Sequence, residues 1–257
     1  MKKIICKKLY ENQVWEITLN DPKGNVIDGI MLSEIDSVLD EIGKEPHCKL
    51  IVFKGSGKHF SFGVSVPEHT PDKAPQMLST FHGLFIKLAE LSIPVCSLIS
   101  GQCLGGGLEI AGFAHFVFAD ESARLGQPEV NLAVFAPPAS VILPLKMGST
   151  YAEDLLLTGR SVTAVEAQKM GLVTALYPNQ TTMEKEVMKW IETHILEKSA
   201  VALKFAVRAV RKRFNEQLKT DLEAFERIYL DELIQTYDGL EGLNSFMENR
   251  KPKWKDI

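Results

Sequence analysis

The chain has 257 residues, of which 45% are hydrophobic and 24% charged. This is the composition of an ordinary globular protein with one large domain, or one domain and a small appendage. The balance of 29 Lys+Arg against 33 Asp+Glu, a formal charge of −4, lacks the basic excess of a nucleic-acid binder. No apolar run is long enough to cross a membrane. The N-terminus, Met1-Lys2-Lys3-Ile4-Ile5-Cys6, carries charge without the apolar stretch of a secretory signal, so a cytoplasmic location is expected.

Residues 14–19 alternate as a strand does, and Asn20-Asp21-Pro22-Lys23-Gly24-Asn25 closes it with turn formers. Apolar side chains at Ile30, Met31, Ile35, Val38, Leu39 and Ile42 recur at helical spacing. The short apolar run at 50–53 predicts a strand buried on both faces, ended by Gly55-Ser56-Gly57. Ser65 and Glu68 have capping-box spacing with Pro67 between them, so a helix is expected to start near Ser65. A helix follows at 75–91, a strand at 94–100, a triple glycine leading into a helix at 108–113, and a strand at 115–119. This alternation predicts an α/β fold. From about residue 139 the pattern is mostly helical, with amphipathic segments at 182–196 and 201–219 and a further one at 222–236. No internal repeat and no linker is visible, so residues 1–195 read as one core and 196–257 as a helical C-terminal region.

Cys6, Cys48, Cys96 and Cys103 lack CxxC spacing, and the histidines are scattered, so free thiols and no metal site are expected. The stretch Gly105-Gly106-Gly107-Leu108-Glu109 stands at a strand-to-helix junction. Glycines there let the backbone approach a ligand and leave N–H groups free for an anion or a developing oxyanion. A tight turn with close helix–strand packing explains the same glycines. There is no GxGxxG and no Walker lysine, which excludes a nucleotide fingerprint. Glu109 lies in an otherwise apolar segment and must be partnered, shifted in pKa or functional. Glu129 follows Pro128 in a second turn, where a solvated loop carboxylate is the plain alternative. Two carboxylates beside one oxyanion turn suit addition or removal of water. The turn Phe60-Ser61-Phe62-Gly63-Val64-Ser65 places further N–H groups near a strand end. Arg208, Arg211, Lys212 and Arg213 read as a solvated helix face, with contact to phosphates as the alternative.

These turns, together with Gly126-Gln127-Pro128-Glu129, Leu157-Thr158-Gly159-Arg160, Gly171-Leu172-Val173 and Arg250-Lys251-Pro252, resemble the crotonase (enoyl-CoA hydratase/isomerase) superfamily over nearly the whole chain. The resemblance implies a crotonase-like spiral of ββα repeats with a helical trimerisation region, assembled as a homotrimer or homohexamer. It implies an acyl-CoA thioester as substrate, with coenzyme A entering as part of it and no separate cofactor, nucleic acid or membrane partner. Carried onto this chain, Val64 and Gly106 supply the oxyanion N–H groups, and Glu109 and Glu129 are the catalytic pair of a hydratase. Asn25, Val26, Phe62, Gly63, Ser65, Gly105, Phe135, Pro137, Ser140, Arg250 and Lys251 are the implied substrate contacts, the last two beside the CoA phosphates. The glycine-rich turn usual after the second glutamate is replaced by Phe135-Ala136-Pro137-Pro138-Ala139-Ser140-Val141. With Asn25-Val26-Ile27-Asp28 and residues 65–70, this segment resembles a narrower group that hydrates a conjugated cyclic dienoyl-CoA. A stiff, apolar wall at 135–141 is expected to favour a flat ring over a flexible acyl chain. A hydratase of linear 2-enoyl-CoA, an isomerase or thioester hydrolase, and a non-catalytic CoA- or RNA-binding relative are the rival expectations.

Overall fold

A computed structural model describes residues 1–257. Strand β1 (Ile4–Leu9) turns through Tyr10, Glu11 and Asn12, all at positive φ, into β2 (Val14–Leu19). Helix α1 (Gly29–Gly43) is capped by Asp28, whose carboxylate accepts the Met31 N–H at 2.9 Å. Strand β3 (Leu50–Gly55) leads through a long loop to α2 (Ala74–Leu91). Then come β4 (Val95–Ile99), β5 (Gln102–Leu104) and α3 (Gly106–Phe113), followed by β6 (Phe116–Asp120) and β7 (Arg124–Gly126). After a 3₁₀ turn at Pro128–Leu132, α4 (Pro137–Met147) and α5 (Ser149–Thr158) precede β8 (Ser161–Thr163), α6 (Ala164–Lys169) and β9 (Ala175–Tyr177). The C-terminal part is α7 (Gln180–Ile191), the long α8 (Ala200–Arg227) and α9 (Tyr237–Met247).

The strands form two sheets. The larger has the order β1-β2-β3-β4-β6-β9 and is parallel except for the β1–β2 hairpin. The smaller has the order β5-β7-β8, and the parallel bridges Ser61–Cys103 and Ile27–Val64 extend its line. Each turn of chain thus gives one strand to the large sheet, one strand or bridge to the small one, and then a helix: β3, Ser61 and α2; β4, β5 and α3; β6, β7 and α4. This is the spiral of ββα repeats that the resemblance implies. The repeat leaves no mark on the sequence because its second strand is three residues long, or a single bridge.

Every residue of β2 and β4 is buried, and β3 is buried except at Lys54. The apolar runs of β3 and β4 follow from being flanked on both sides by parallel neighbours and on both faces by other layers, whereas β2, antiparallel to β1, keeps Glu16 and Thr18 among its buried residues. Phe214, Leu218 and Leu222 of α8 belong to the same core as Trp15, Phe53 and Phe113. Burial of each such side chain contributes about 1.5–3 kcal/mol, which fastens the C-terminal helix to the sheets.

Three expectations need correction. The chain at Ser65 forms only a 3₁₀ turn, Val66–Glu68, with no side-chain cap; the Glu68 carboxylate instead meets the Gly29 N–H at 3.4 Å. The segment at 222–236 is not a separate helix: α8 runs through Arg227 and ends in a π turn, Ile228–Glu232. Arg211 leaves the solvated face assigned to it. It is buried and donates to the carbonyls of Phe113 and Ala114 at 3.0 and 3.1 Å, at the carboxyl end of α3.

Candidate active site

Two turns meet at the amino end of α3. The first is Phe60–Val64, after β3; the second is Gly105–Gly106, after β5. Their approach is close: a Cβ built on Gly63 would lie 3.0 Å from the Leu104 carbonyl oxygen and 3.6 Å from the Gly106 nitrogen. Ser61 ties down the first turn, with its hydroxyl donating to the Asn25 carbonyl at 2.8 Å and accepting the Gly63 N–H at 3.0 Å. Gly106 opens α3, so its N–H has no acceptor within the helix. Neither it nor the Val64 N–H donates to any carbonyl of the turns and loops. Two free N–H groups therefore stand side by side at the positive end of a helix, where developing negative charge is stabilised.

Glu109 sits on the first turn of α3 and is 4% exposed. Its Oε1 accepts the Ala139 N–H at 2.8 Å. Burial first, and the neighbouring Glu129 second, hold its carboxyl well above the usual carboxylate range, and the Ala139 bond offsets this only in part. Glu129 is placed by the 3₁₀ turn after β7. Burial pushes its carboxyl up to about 7. The buried Gln127 amide, oriented with its nitrogen toward Glu129, donates to both carboxylate oxygens at 3.2 and 3.0 Å. Glu129 also explains Gly105, which has φ +50; a Cβ there would stand 2.5 Å from Glu129 Oε1. Two such carboxyls, with Glu129 close enough to raise Glu109, titrate as a unit that keeps a proton near neutral pH. That unit can take a proton from water and return one to carbon.

The turns and the glutamates open onto one cavity, walled chiefly by apolar side chains. It brings together Phe62, Gly63, Val64, Gly105, Gly106, Glu109, Glu129, Phe135 and Pro137 from the sequence-derived set. The other members of that set stand elsewhere. Asn25 is buried under the first turn, where its amide donates to the carbonyls of Ser56, His59 and Phe60 at 3.0, 2.8 and 3.2 Å. It holds the loop and does not face the cavity. Val26 and Ser65 are half-buried beside that loop; the Ser65 N–H donates to the Ile27 carbonyl. Arg250 lies in the C-terminal tail, bound to both oxygens of Glu241 at 2.5 and 2.7 Å and to Glu248 at 2.5 Å. The neighbouring Lys251 is exposed.

Ser140 and Val141 are corrections to the wall expected at 135–141, and the segment is the start of a helix in place of a turn. Pro137 and Pro138 begin helix α4, where missing N–H groups cost nothing. The Ser140 hydroxyl donates back to the Ala136 carbonyl at 2.8 Å and does not line the cavity, and Val141 is buried in the core. The wall is instead Phe135, Ala136, Pro137 and Pro138. Sequence reasoning missed His69, Phe81 and Tyr229, which also line the cavity. Tyr229 comes from the far end of the chain, and no local pattern marks it.

The comparisons agree with this fold. The sequence model of the family described as enoyl-CoA hydratase/isomerase matches residues 10–257. A Thauera aromatica protein named cyclohexa-1,5-dienecarbonyl-CoA hydratase is 39% identical over 246 residues, covering 96% of this chain and 94% of its own. A probable enoyl-CoA hydratase of Rhizobium meliloti is 32% identical, covering 95% of each chain. Among solved structures, an enoyl-CoA hydratase from Mycobacterium avium subsp. paratuberculosis matches with a TM-score of 0.86 at 25% identity over 99% of each chain. With the fold, the paired turns and the match across both halves in agreement, the chain belongs to the enoyl-CoA hydratase/isomerase family, among members that carry the name hydratase.

Proposed function

We propose that this enzyme adds water to a conjugated cyclic dienoyl thioester, converting cyclohexa-1,5-diene-1-carbonyl-CoA to 6-hydroxycyclohex-1-ene-1-carbonyl-CoA in the anaerobic breakdown of benzoyl-CoA. The observation that carries it is the pairing of Glu109 and Glu129, both raised in pKa, beside two free N–H groups in an apolar cavity. The identity to the Thauera protein supports the ring over a linear chain.

In this reading the thioester oxygen lies against the N–H groups of Val64 and Gly106. The ring carbon β to the thioester is then the electrophile. The glutamate pair takes a proton from water as the water oxygen bonds to that carbon. The displaced π electrons pass into the thioester as an enolate, whose charge the two N–H groups stabilise. The pair then returns one proton to a ring carbon, so one water is added in all. The thioester is the electron sink, and coenzyme A takes part only as its carrier. Loss of one oxyanion donor typically costs about 10²–10³ in rate.

The wall of Phe135, Ala136, Pro137 and Pro138 supports the choice of ring. It is held rigid as the start of a helix, and its backbone is tied to Glu109 through Ala139. On the same reading residues 1–195 form the acyl-CoA-binding core, and 196–257 the region through which copies assemble into a trimer or hexamer. Val201, Phe205 and Val210 of α8, exposed by 62%, 62% and 75%, support such assembly. The experiment is a hydration assay with the cyclic dienoyl-CoA against crotonyl-CoA and longer linear enoyl-CoA. We expect kcat/KM at least about 100-fold higher for the ring; a cavity contrast of several groups, each worth about tenfold or more, gives that scale. Equal efficiency on linear substrates contradicts the assignment and returns the enzyme to general 2-enoyl-CoA hydration.

A further inference from the structure

Tyr229 sits in the π turn that ends α8 and is 1% exposed. Its ring lines the same cavity as Glu109 and Glu129. It is fixed between two neighbours, Phe135 at 5.6 Å and His69 at 6.5 Å between ring centroids. Phe135 is in turn held edge-on by Phe225, at 6.0 Å and 90°. His69 is locked as well, because its Nδ1 lies 3.0 Å from the Ser65 carbonyl and so carries the proton it donates. The ring of Tyr229 therefore has little freedom to turn its hydroxyl elsewhere.

That hydroxyl is buried and has no hydrogen-bond partner in the protein. A buried donor of this kind is a standing cost to the fold unless something else satisfies it. Burial, with the charges of Glu129 and Glu109 behind it, keeps the phenol protonated, so it is available as a donor and not as a base. The chemistry narrows what it can meet. In the proposed substrate the ring is hydrocarbon, and the thioester oxygen is taken by the N–H groups of Val64 and Gly106. The remaining oxygen in the cavity is the one being added. The glutamate pair accepts a proton from it, and the proton the pair holds is the one returned to carbon, which leaves the phenol as the side-chain donor free to meet the oxygen.

We infer that the Tyr229 hydroxyl donates a hydrogen bond to the reacting oxygen: to water as it approaches the ring, and to the ring hydroxyl of the product. The inference rests on the dienoyl-CoA reading above. It assigns Tyr229 as a substrate-contacting residue that sets the position of the oxygen between the two glutamates. It also makes the C-terminal helical region part of the active site and not only a region for assembly.

The test compares two inhibitors in initial-rate hydration of the cyclic dienoyl-CoA. One is the hydroxylated product; the other is cyclohex-1-ene-1-carbonyl-CoA, which lacks the hydroxyl. The wild-type protein should hold the product about tenfold more tightly than the deoxy analogue, the scale of one lost hydrogen bond in a buried site. Tyr229→Phe should hold both about equally, with the deoxy constant unchanged and kcat lowered by about tenfold or more. The unchanged deoxy constant reports that packing around the ring is intact. A Tyr229→Phe protein that keeps the preference for the hydroxyl overturns the inference. So does one that loses affinity equally for both compounds, or a wild-type protein with no preference. A wild-type protein that fails to hydrate the cyclic diene at all overturns the substrate reading itself, and the inference falls with it.

Discussion

Replacing Gly106 by alanine alters the proposed thioester site by a single methyl group. A Cβ at this position would lie 2.4 Å from Val64 Cγ2, 3.1 Å from Phe81 Cζ and 3.3 Å from the Val64 nitrogen. Carbon atoms in contact rest about 3.5–4.0 Å apart, so Val64 must retreat by about 1 Å or more. The Val64 N–H is one of the two donors assigned to the thioester oxygen, and the methyl group stands against it. Displacing one donor predicts a fall in kcat of about 10²–10³, or roughly 3–4 kcal/mol. Stability should respond far less. Alanine is the better helix former by about 1 kcal/mol, against an overpacking cost of about 1–3 kcal/mol. For a chain of this length the balance amounts to a few degrees in Tm. Initial-rate hydration of the dienoyl-CoA, with calorimetry on the same sample, separates the two effects. A Gly106→Ala protein with wild-type Tm and kcat within about threefold of wild type refutes the paired N–H account.

Two further outcomes follow from the same geometry. Burial raises the Glu129 carboxyl from 4.5 to about 7, so the folded protein binds a proton that the unfolded chain releases between those values. Its contribution to stability is fully present below about pH 4.5 and is lost as pH rises through about 7. Glu129→Gln should therefore have a higher Tm than wild type at pH 8, and the two curves should converge near pH 5; a constant offset across that range contradicts the shift. Light scattering at micromolar concentration should give a trimer or hexamer, and a monomer contradicts the assembly proposed through the C-terminal helices.

Much of this structure can be read from the sequence, and what cannot has identifiable causes. The buried strands β3 and β4 and the helices α1 and α2 stand within a residue or two of their apolar patterns, because burial on known faces fixes that pattern. Strands β5, β7, β8 and β9 are three residues each, too short for any period to register. Ser65 and Glu68 have the spacing of a capping box but not its geometry, since the chain leaves the 3₁₀ turn before a helix can form. Glu109 was legible because a lone carboxylate among Leu108, Ile110 and Ala111 has to be explained. Its partner, the Ala139 N–H, is backbone thirty residues away, and a backbone donor has no signature in sequence. Ser140 illustrates the reverse error: its hydroxyl suggested a polar contact, but on a helix the carbonyl one turn back is the nearer acceptor. Tyr229 enters the site only because the α8 helix ends in a π turn against Phe135.

The most direct measurement is turnover of cyclohexa-1,5-diene-1-carbonyl-CoA by Glu109→Gln and by Glu129→Gln. Glutamine preserves the shape of each side chain and can still accept the Ala139 N–H at position 109, but it cannot gain or lose the proton. If the glutamate pair moves the protons of hydration, each variant should lose at least about two orders of magnitude in kcat, as expected for general acid–base groups. Near-full turnover by either variant, on a substrate the wild-type protein hydrates well, contradicts the two-carboxylate mechanism.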